Sequence, residues 1–112
     1  MDYLDTTKVL YQQNIRNKQT YTEEAAGKLF DYFMELLVNH FKNNIYCTQK
    51  SVYLRYFSDT YETVNVDSRY IDKAYLVELI KGKIRAAGFK ITHTANNEFL
   101  VSGWADDDEE EN

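Results

Sequence analysis

Residues 71–104 combine one amphipathic helix with a short hairpin, and this combination restricts the fold more than any other part of the chain. At 100° per residue, the apolar side of the helix comprises Leu76, Val77, Leu79, Ile80, Ile84 and Ala87, and the opposite side comprises Tyr75, Glu78, Lys81 and Arg85. Gly88 is suited to end the helix. The residue after a helix often adopts a left-handed backbone conformation, which is strained for every residue that has a Cβ. One face is therefore expected to pack inward while the other meets solvent or a ligand.

The residues after Gly88 follow a strand pattern rather than a helical one. Phe89, Ile91 and His93 alternate with Lys90, Thr92 and Thr94, and an extended pattern resumes at Phe99-Leu100-Val101. Between them, Asn96 and Asn97 tolerate the positive φ angles that tight turns require. The sequence predicts a hairpin that directly follows the helix.

Two helices are predicted upstream. Thr20 and Glu23 have the spacing of a capping box, which predicts a helix over residues 20–42 that ends at Asn43-Asn44. Its apolar stripe comprises Ala26, Leu29, Phe30, Phe33, Leu36, Leu37 and Phe41. A separate short helix is predicted before it, capped by Asp5 or Thr6 and ending at Asn17, with Leu10, Tyr11 and Ile15 on one face.

The local pattern leaves residues 45–67 open. Val52, Leu54 and Tyr56 alternate as in a strand, yet Thr48 could cap a helix. The order of elements favours a short extended piece at residues 45–47 and a helix over residues 49–60. The predicted fold is then α+β and mainly helical, a winged helix-turn-helix with a C-terminal hairpin wing. Its expected parts are an arm or short helix at residues 1–19, a winged-helix domain at residues 20–104 and an acidic tail at residues 105–112.

The net charge of −5 has an uneven distribution. Six of the 18 acidic residues are Asp106, Asp107, Asp108, Glu109, Glu110 and Glu111, so residues 1–105 carry 12 acidic and 13 basic residues. A run of like charges repels itself, and we expect it to be disordered. It could serve solubility, compete with nucleic acid for a basic surface of the same chain, or bind a basic patch on a protein partner.

Several classes of protein are disfavoured by what the sequence lacks. Its four glycines form no phosphate-binding loop, His40 and His93 lie far apart, and no nucleophile elbow or HExxH motif occurs. Cys47 is the single cysteine, so it is expected to be a buried structural thiol in a reducing compartment. No secretory signal or apolar run of membrane-spanning length occurs. We therefore expect an intracellular protein of the cytoplasm or host nucleus that is not an enzyme and needs no cofactor or metal.

Two short patterns carry a family resemblance. Val52, Tyr53 and Tyr56 resemble an aromatic helix motif, and Ile84, Arg85, Gly88 and Phe89 resemble a helix end that leads into a wing strand. Together they resemble the winged-helix domains at the C-terminal ends of viral and plasmid primase-helicases. The resemblance covers about 65 residues, mostly core positions, and therefore concerns the fold more than the function. Asp59 stands where the first motif ends in an aromatic residue, and no helicase or primase motor accompanies the domain.

The winged-helix interpretation implies a nucleic-acid-binding surface. It consists of Tyr75, Lys81 and Arg85 on the recognition helix and Lys90, Thr92, Asn96 and Asn97 on the wing. The leading hypothesis is a small viral protein that binds DNA in replication or transcription. The alternative is a protein-interaction module or host-factor inhibitor that acts through an aromatic surface and the acidic tail. The sequence leaves the oligomeric state open.

Overall fold

The fold is mainly helical, with one small antiparallel sheet. It is taken from a computed structural model, which describes residues 2–105. The elements are α1 (Tyr3–Lys42), β1 (Ser51–Arg55), α2 (Ser58–Thr63), a 3₁₀ turn (Ser68–Tyr70), α3 (Lys73–Ala86), β2 (Lys90–Ala95) and β3 (Glu98–Ser102). The predicted α+β class is confirmed. The acidic run 106–111 lies outside the described residues.

The C-terminal helix and hairpin form where the sequence predicts them. The Asp72 side chain accepts a hydrogen bond from the Tyr75 backbone N–H and so caps the start of α3. Gly88 has φ +100°, the left-handed conformation that ends a helix and that only glycine adopts without strain. Asn96 and Asn97 separate β2 from β3. Of the predicted apolar face, Leu76, Ile80 and Ile84 are buried, Val77 and Leu79 are partly buried, and Ala87 is exposed.

The two predicted N-terminal helices are one continuous helix of 40 residues, so the predicted break is wrong. Asp2 caps this helix, since its carboxylate accepts hydrogen bonds from the Leu4 and Asp5 backbone N–H groups. Asn17 and Thr20 lie inside it. A capping-box spacing in the sequence does not require a helix start, because each backbone N–H there already has a helical acceptor four residues earlier.

The predicted helix over residues 49–60 is also wrong. Ser51–Arg55 is a strand whose burial alternates, with Val52 and Leu54 buried and Tyr53 and Arg55 exposed. A helix follows later and is short, at Ser58–Thr63. This segment forms a strand rather than a helix because every one of its residues pairs with a residue of β3, from Ser51 opposite Ser102 to Arg55 opposite Glu98. The extended piece predicted at residues 45–47 is a turn and an irregular segment.

The sheet has the order β1-β3-β2, with both pairs antiparallel. One face of it packs on the C-terminal half of α1, and α3 packs on α1 and on β2. Phe33 and Ile80, the predicted centres of the two apolar stripes, are both fully buried. The Phe33 ring contacts the rings of Tyr56 and Phe99, which joins α1 to the sheet. Leu36, which was predicted to share this stripe, is 38% exposed.

Two side chains of α1 accept hydrogen bonds from the backbone of the segment that leads into α3. The Tyr21 hydroxyl accepts a hydrogen bond from the Asp67 backbone N–H at 2.7 Å. The buried Thr22 hydroxyl donates to the Lys18 carbonyl and accepts from the Asp72 backbone N–H, at 2.7 and 3.0 Å. These contacts mark where α1 enters the folded body.

Before Tyr21, helix α1 extends away from the body as an arm, which we define as residues 3–20. Every residue of the arm is exposed, and the molecule measures 69 × 29 × 21 Å as a result. No helix within residues 2–105 combines the length and the apolar character needed to cross a membrane.

Candidate nucleic-acid interface

The outward face of α3 carries one clearly accessible cation. Arg85 is exposed and lies on the same side of the helix as Glu78. Lys81 is at the edge of this face: its side chain is 19% exposed, and its Nζ lies 3.4 Å from Glu78 Oε2. Such a pair stabilises little in water, so Lys81 can exchange Glu78 for another anion. The structure therefore places Arg85 in the open and Lys81 beside it.

Tyr75 has a different environment from the one that the sequence indicated. Its hydroxyl donates a hydrogen bond of 2.6 Å to Glu23 Oε2 on α1, and its side chain is half-buried. This hydrogen bond raises the pKa of Tyr75 above its ordinary value, because loss of the proton would leave two anions in contact. Tyr75 thus joins α3 to α1 and lies apart from the outward face that carries Arg85.

The hairpin presents its polar residues along an outer strand. Within the described sheet, β2 pairs with β3 alone, so its other edge is open. Lys90 and Thr92 are exposed on this strand, and Asn96 is exposed at the turn that follows. Asn97 is half-buried. Thr92 and Asn96 offer a hydroxyl and an amide, and Lys90 a cation, which are the groups that proteins use on phosphates and base edges.

Tyr56 holds the hairpin turn in place. Its hydroxyl donates to the Asn96 carbonyl at 3.0 Å, and its backbone N–H donates to the Asn97 carbonyl at 3.1 Å. The Tyr56 ring stacks on Phe99 at 6.0 Å between centroids, which fixes its position. Burial, together with the nearby Tyr61, raises the pKa of Tyr56 to about 12. Both predicted turn residues are thus bound to the body through one tyrosine.

This elevated pKa predicts a loss of stability in alkali. An unfolded tyrosine ionises near pH 10, whereas folded Tyr56 keeps its proton to about pH 12. The stabilisation is therefore complete below pH 10 and disappears as the pH rises through 12. The free energy of unfolding should fall by at most about 2–3 kcal/mol over this interval. Urea unfolding at pH 9.5, 10.5 and 11.5 measures it, and Tyr56→Phe should reduce the slope, while Tyr61 and Tyr75, whose pKa values are also raised, contribute the remainder.

A groove of about 800 Å³ separates the first half of α3 from the hairpin turn. Its polar wall includes Lys73, Glu78, His93, Asn96 and Asn97, and its apolar wall includes Phe57, Tyr61 and Val77. Phe57 is 56% exposed although it is a large aromatic residue. The groove thus combines amides, one cation, one carboxylate and an open aromatic ring, and the ring and amides suit a ligand with flat rings.

Several groove residues were not predicted as site residues from the sequence, among them Phe57, Lys73 and His93. Lys73 is the first residue of α3, directly after its cap, and this position could have been inferred from the Asp72 cap signal. Phe57 and His93 could not, because their approach depends on how α2 and the sheet pack. The groove brings Asn96 and Asn97 together with these residues, whereas Arg85 and Lys90 lie outside its walls.

Cys47 and His40 meet at the far end of α1, away from the groove. The Cys47 Sγ atom lies 3.6 Å from His40 Nε2, and both side chains contact Gln49 Oε1. Cys47 was expected to be buried, but it is only half-buried. Over residues 2–105 there is no group of three or more His, Cys, Asp or Glu side chains arranged to hold a metal ion.

The site must be interpreted from its own geometry. Comparison with protein-family models, curated proteins and solved structures gave no match for this chain.

Proposed function

We propose that this chain is a winged-helix protein that binds nucleic acid through α3 and the β2–β3 hairpin. The order of helices and strands, with β1 pairing to β3 and β2 at the edge, is the arrangement in which a hairpin wing follows a recognition helix. The proposal does not include the aromatic helix motif of the primase-helicase resemblance, because Val52 and Tyr53 lie on β1 rather than on a helix.

The observation that carries the proposal is the groove between α3 and the hairpin turn. Its walls place Lys73, Asn96 and Asn97 around an exposed Phe57 ring. Glu78 in the same wall offsets the charge of Lys73, so the further cations that the proposal needs are Arg85 in the last turn of α3 and Lys90 at the start of β2, both outside the groove. Such a surface suits a phosphate backbone with one or two bases in reach of the amides. We propose a non-enzymatic role in viral replication or transcription, inside a cell.

The acidic run fits this proposal as a competitor for the same surface. The Trp104 ring contacts the Phe89 ring at 6.3 Å between centroids, so the chain leaves the sheet close to the end of α3. Residues 105–112 can reach about 29 Å from there when extended, which includes Arg85. Six nearby negative charges would lower the affinity for DNA at low salt.

The proposal is tested by the salt dependence of DNA binding in two matched variants. Arg85→Ala and Lys83→Ala each remove one exposed cation from the last turn of α3, but these residues point about 160° apart around the helix. We expect Arg85→Ala to weaken binding to mixed-sequence duplex DNA and to lower the log-log salt slope by about 0.9. Lys83→Ala should leave both unchanged. Fluorescence anisotropy between 50 and 200 mM salt measures both quantities.

A second variant extends this test to the neighbouring lysine. If Lys81 also contacts phosphate, Lys81→Ala with Arg85→Ala should lower the slope by about 1.8 in total. Equal effects of Arg85→Ala and Lys83→Ala would indicate a nonspecific charge effect and reject α3 as the DNA-binding helix. DNA binding with no salt dependence would reject the proposal altogether.

The second candidate function is a protein-interaction module. Tyr46, Tyr53, Phe57 and Tyr70 are at least half exposed, which is typical of contact surfaces that use aromatic anchors. On this alternative, Asp106, Asp107, Asp108, Glu109, Glu110 and Glu111 would bind a basic partner. Removal of residues 106–112 separates the two: DNA affinity should rise if the tail competes, and should not change if the tail only binds a protein.

A further inference from the structure

The arm of α1 exposes an apolar stripe that the molecule does not cover. It consists of Tyr3, Leu4, Leu10, Tyr11 and Ile15, with exposed fractions of 79, 62, 53, 62 and 37%. At 100° per residue these side chains occupy an arc of about 140°. The same side of the helix, further along, carries the buried Thr22, Ala25, Leu29 and Phe33. The core-facing side of α1 therefore continues beyond the body with nothing packed against it.

An uncovered stripe on a projecting helix is unfavourable for two reasons. Helical segments of this length are marginally stable in water without tertiary contacts. Each exposed leucine or tyrosine also keeps apolar surface in contact with water that burial would remove. A partner surface on the stripe would remove both penalties.

Residues 105–112 cannot supply that surface. The Trp104 ring contacts Phe41 at the C-terminal end of α1, at 5.5 Å between centroids. From Phe41 to Lys18 the helix runs for about 35 Å, whereas eight extended residues span at most about 29 Å. The acidic segment therefore does not reach the stripe.

A second copy of the chain fits the arm in antiparallel orientation. The tip of the arm carries Asp2 and Asp5, and its base carries Arg16 and Lys18. Within residues 2–105 none of these four side chains takes part in an ion pair. Antiparallel pairing brings each acidic tip to the other copy's basic end, while parallel pairing would bring like charges together.

The base of the arm also offers a cavity for the partner's tip. It measures about 440 Å³ and is lined by Asn14, Asn17, Lys18, Tyr21, Arg69 and Tyr70. Tyr3 lies on the same flank of α1 as Asn17 and Tyr21, and equivalent flanks meet in an antiparallel pair. With Leu10 and Tyr11 at the two-fold axis, Tyr3 is opposite Lys18 of the other copy. There the Tyr3 ring can pack against Lys18 as a cation–π partner, next to Arg69, whose guanidinium lies over the Tyr70 ring and pairs with Asp67.

We propose that two copies of this chain form a homodimer by antiparallel pairing of their α1 arms, with the Tyr3 tip of each in the base cavity of the other. Tyr3 and Tyr11 can each bury on the order of 150–250 Å². Together with Leu4, Leu10, Ile15 and the cavity, the contact is of the order of the roughly 800 Å² per partner seen in specific interfaces. The proposal does not depend on nucleic-acid binding.

The first test compares two glutamate substitutions on opposite sides of the arm. Tyr11→Glu places a charge in the stripe, and Val9→Glu places the same charge on the other side, at a residue that is 57% exposed. We expect the wild type and Val9→Glu to have twice the 13.2 kDa chain mass in sedimentation equilibrium at 50 µM, and Tyr11→Glu to be monomeric. A monomeric wild type, or a dimer that survives Tyr11→Glu, would overturn the proposal.

The second test determines the orientation and does not depend on a disruptive variant. In a Cys47→Ser background, Leu10→Cys lies beside the two-fold axis and should form a disulfide between copies under mild oxidation. Leu4→Cys should not, since its two copies would lie about 20 Å apart along the paired arms. Efficient cross-linking through Leu4→Cys would show parallel arms and overturn the proposal. A chain without residues 106–112 should dimerise as before, and a monomeric truncated chain would overturn the proposal that the arms alone make the contact.

Discussion

Replacing Phe33 with alanine is expected to lower the free energy of unfolding by about 3–5 kcal/mol. The side chain is fully buried, and its ring contacts the rings of Tyr32, Tyr56 and Phe99 at about 6 Å between centroids. Its removal would leave a cavity between α1 and the sheet that rigid backbone on both sides cannot close. Urea unfolding monitored by circular dichroism measures the loss.

Val38→Ala is the matched control for this measurement. Val38 is also on α1 but is 62% exposed, so its truncation should change the stability by no more than about 0.5 kcal/mol. A similar midpoint for Phe33→Ala and Val38→Ala would show that α1 does not pack on the sheet through this face.

Replacing Gln19 with proline is expected to cost the helix about 3 kcal/mol or more and to uncouple the arm. Proline there lacks the N–H that donates to the Ile15 carbonyl, and its ring clashes with that carbonyl. The separated segment, residues 3–18, is too short to remain a stable helix by itself. Far-ultraviolet circular dichroism should therefore lose about 16 residues of helical signal, while the near-ultraviolet signal of the core is retained.

The same substitution distinguishes the structure from the sequence-based prediction. If a first helix ended at Asn17 and a second began at Thr20, proline at position 19 would lie between them and cost little. Tyr3→Pro is the control, because Tyr3 is the first residue of α1 and Asp2 before it is already extended. An unchanged helical signal in Gln19→Pro, measured in the Tyr11→Glu background in which the arms are unpaired, would restore the two-helix prediction.

The sequence by itself determined the elements whose signals are local. The helix at Lys73–Ala86 has a cap, a full apolar face and a glycine with positive φ after it, and all three lie within 17 residues. The hairpin follows from alternation in the sequence and from two consecutive asparagines at its turn, although the pairing register shifts between His93 and Ala95. In both cases each local preference agrees with the global fold, and the prediction is confirmed.

Only the tertiary structure decided the rest of the fold. Ser51–Arg55 carries both a helical and a strand pattern, and hydrogen bonds to β3, about 47 residues away, select the strand. Thr20 and Glu23 have the spacing of a capping box, yet continuous backbone hydrogen bonding through α1 makes a start there unnecessary. A residue with only a weak tendency to end helices, such as Asn17, does not end a helix when the turns that follow it are stabilised by packing against the rest of the protein.

In the candidate site, too, some features follow from the local sequence and others depend on tertiary packing. Arg85 and Lys90 are exposed as predicted, because the periodicity of a helix or strand alone assigns their face, and Asn96 is exposed because it lies in the hairpin turn. Tyr75 could not be placed, since its hydrogen bond to Glu23 joins two residues 52 positions apart. Periodicity says which side of an element is polar, but which polar residues meet depends on the angles at which elements pack. The groove around Phe57 and the exposed stripe of the arm are both products of that packing.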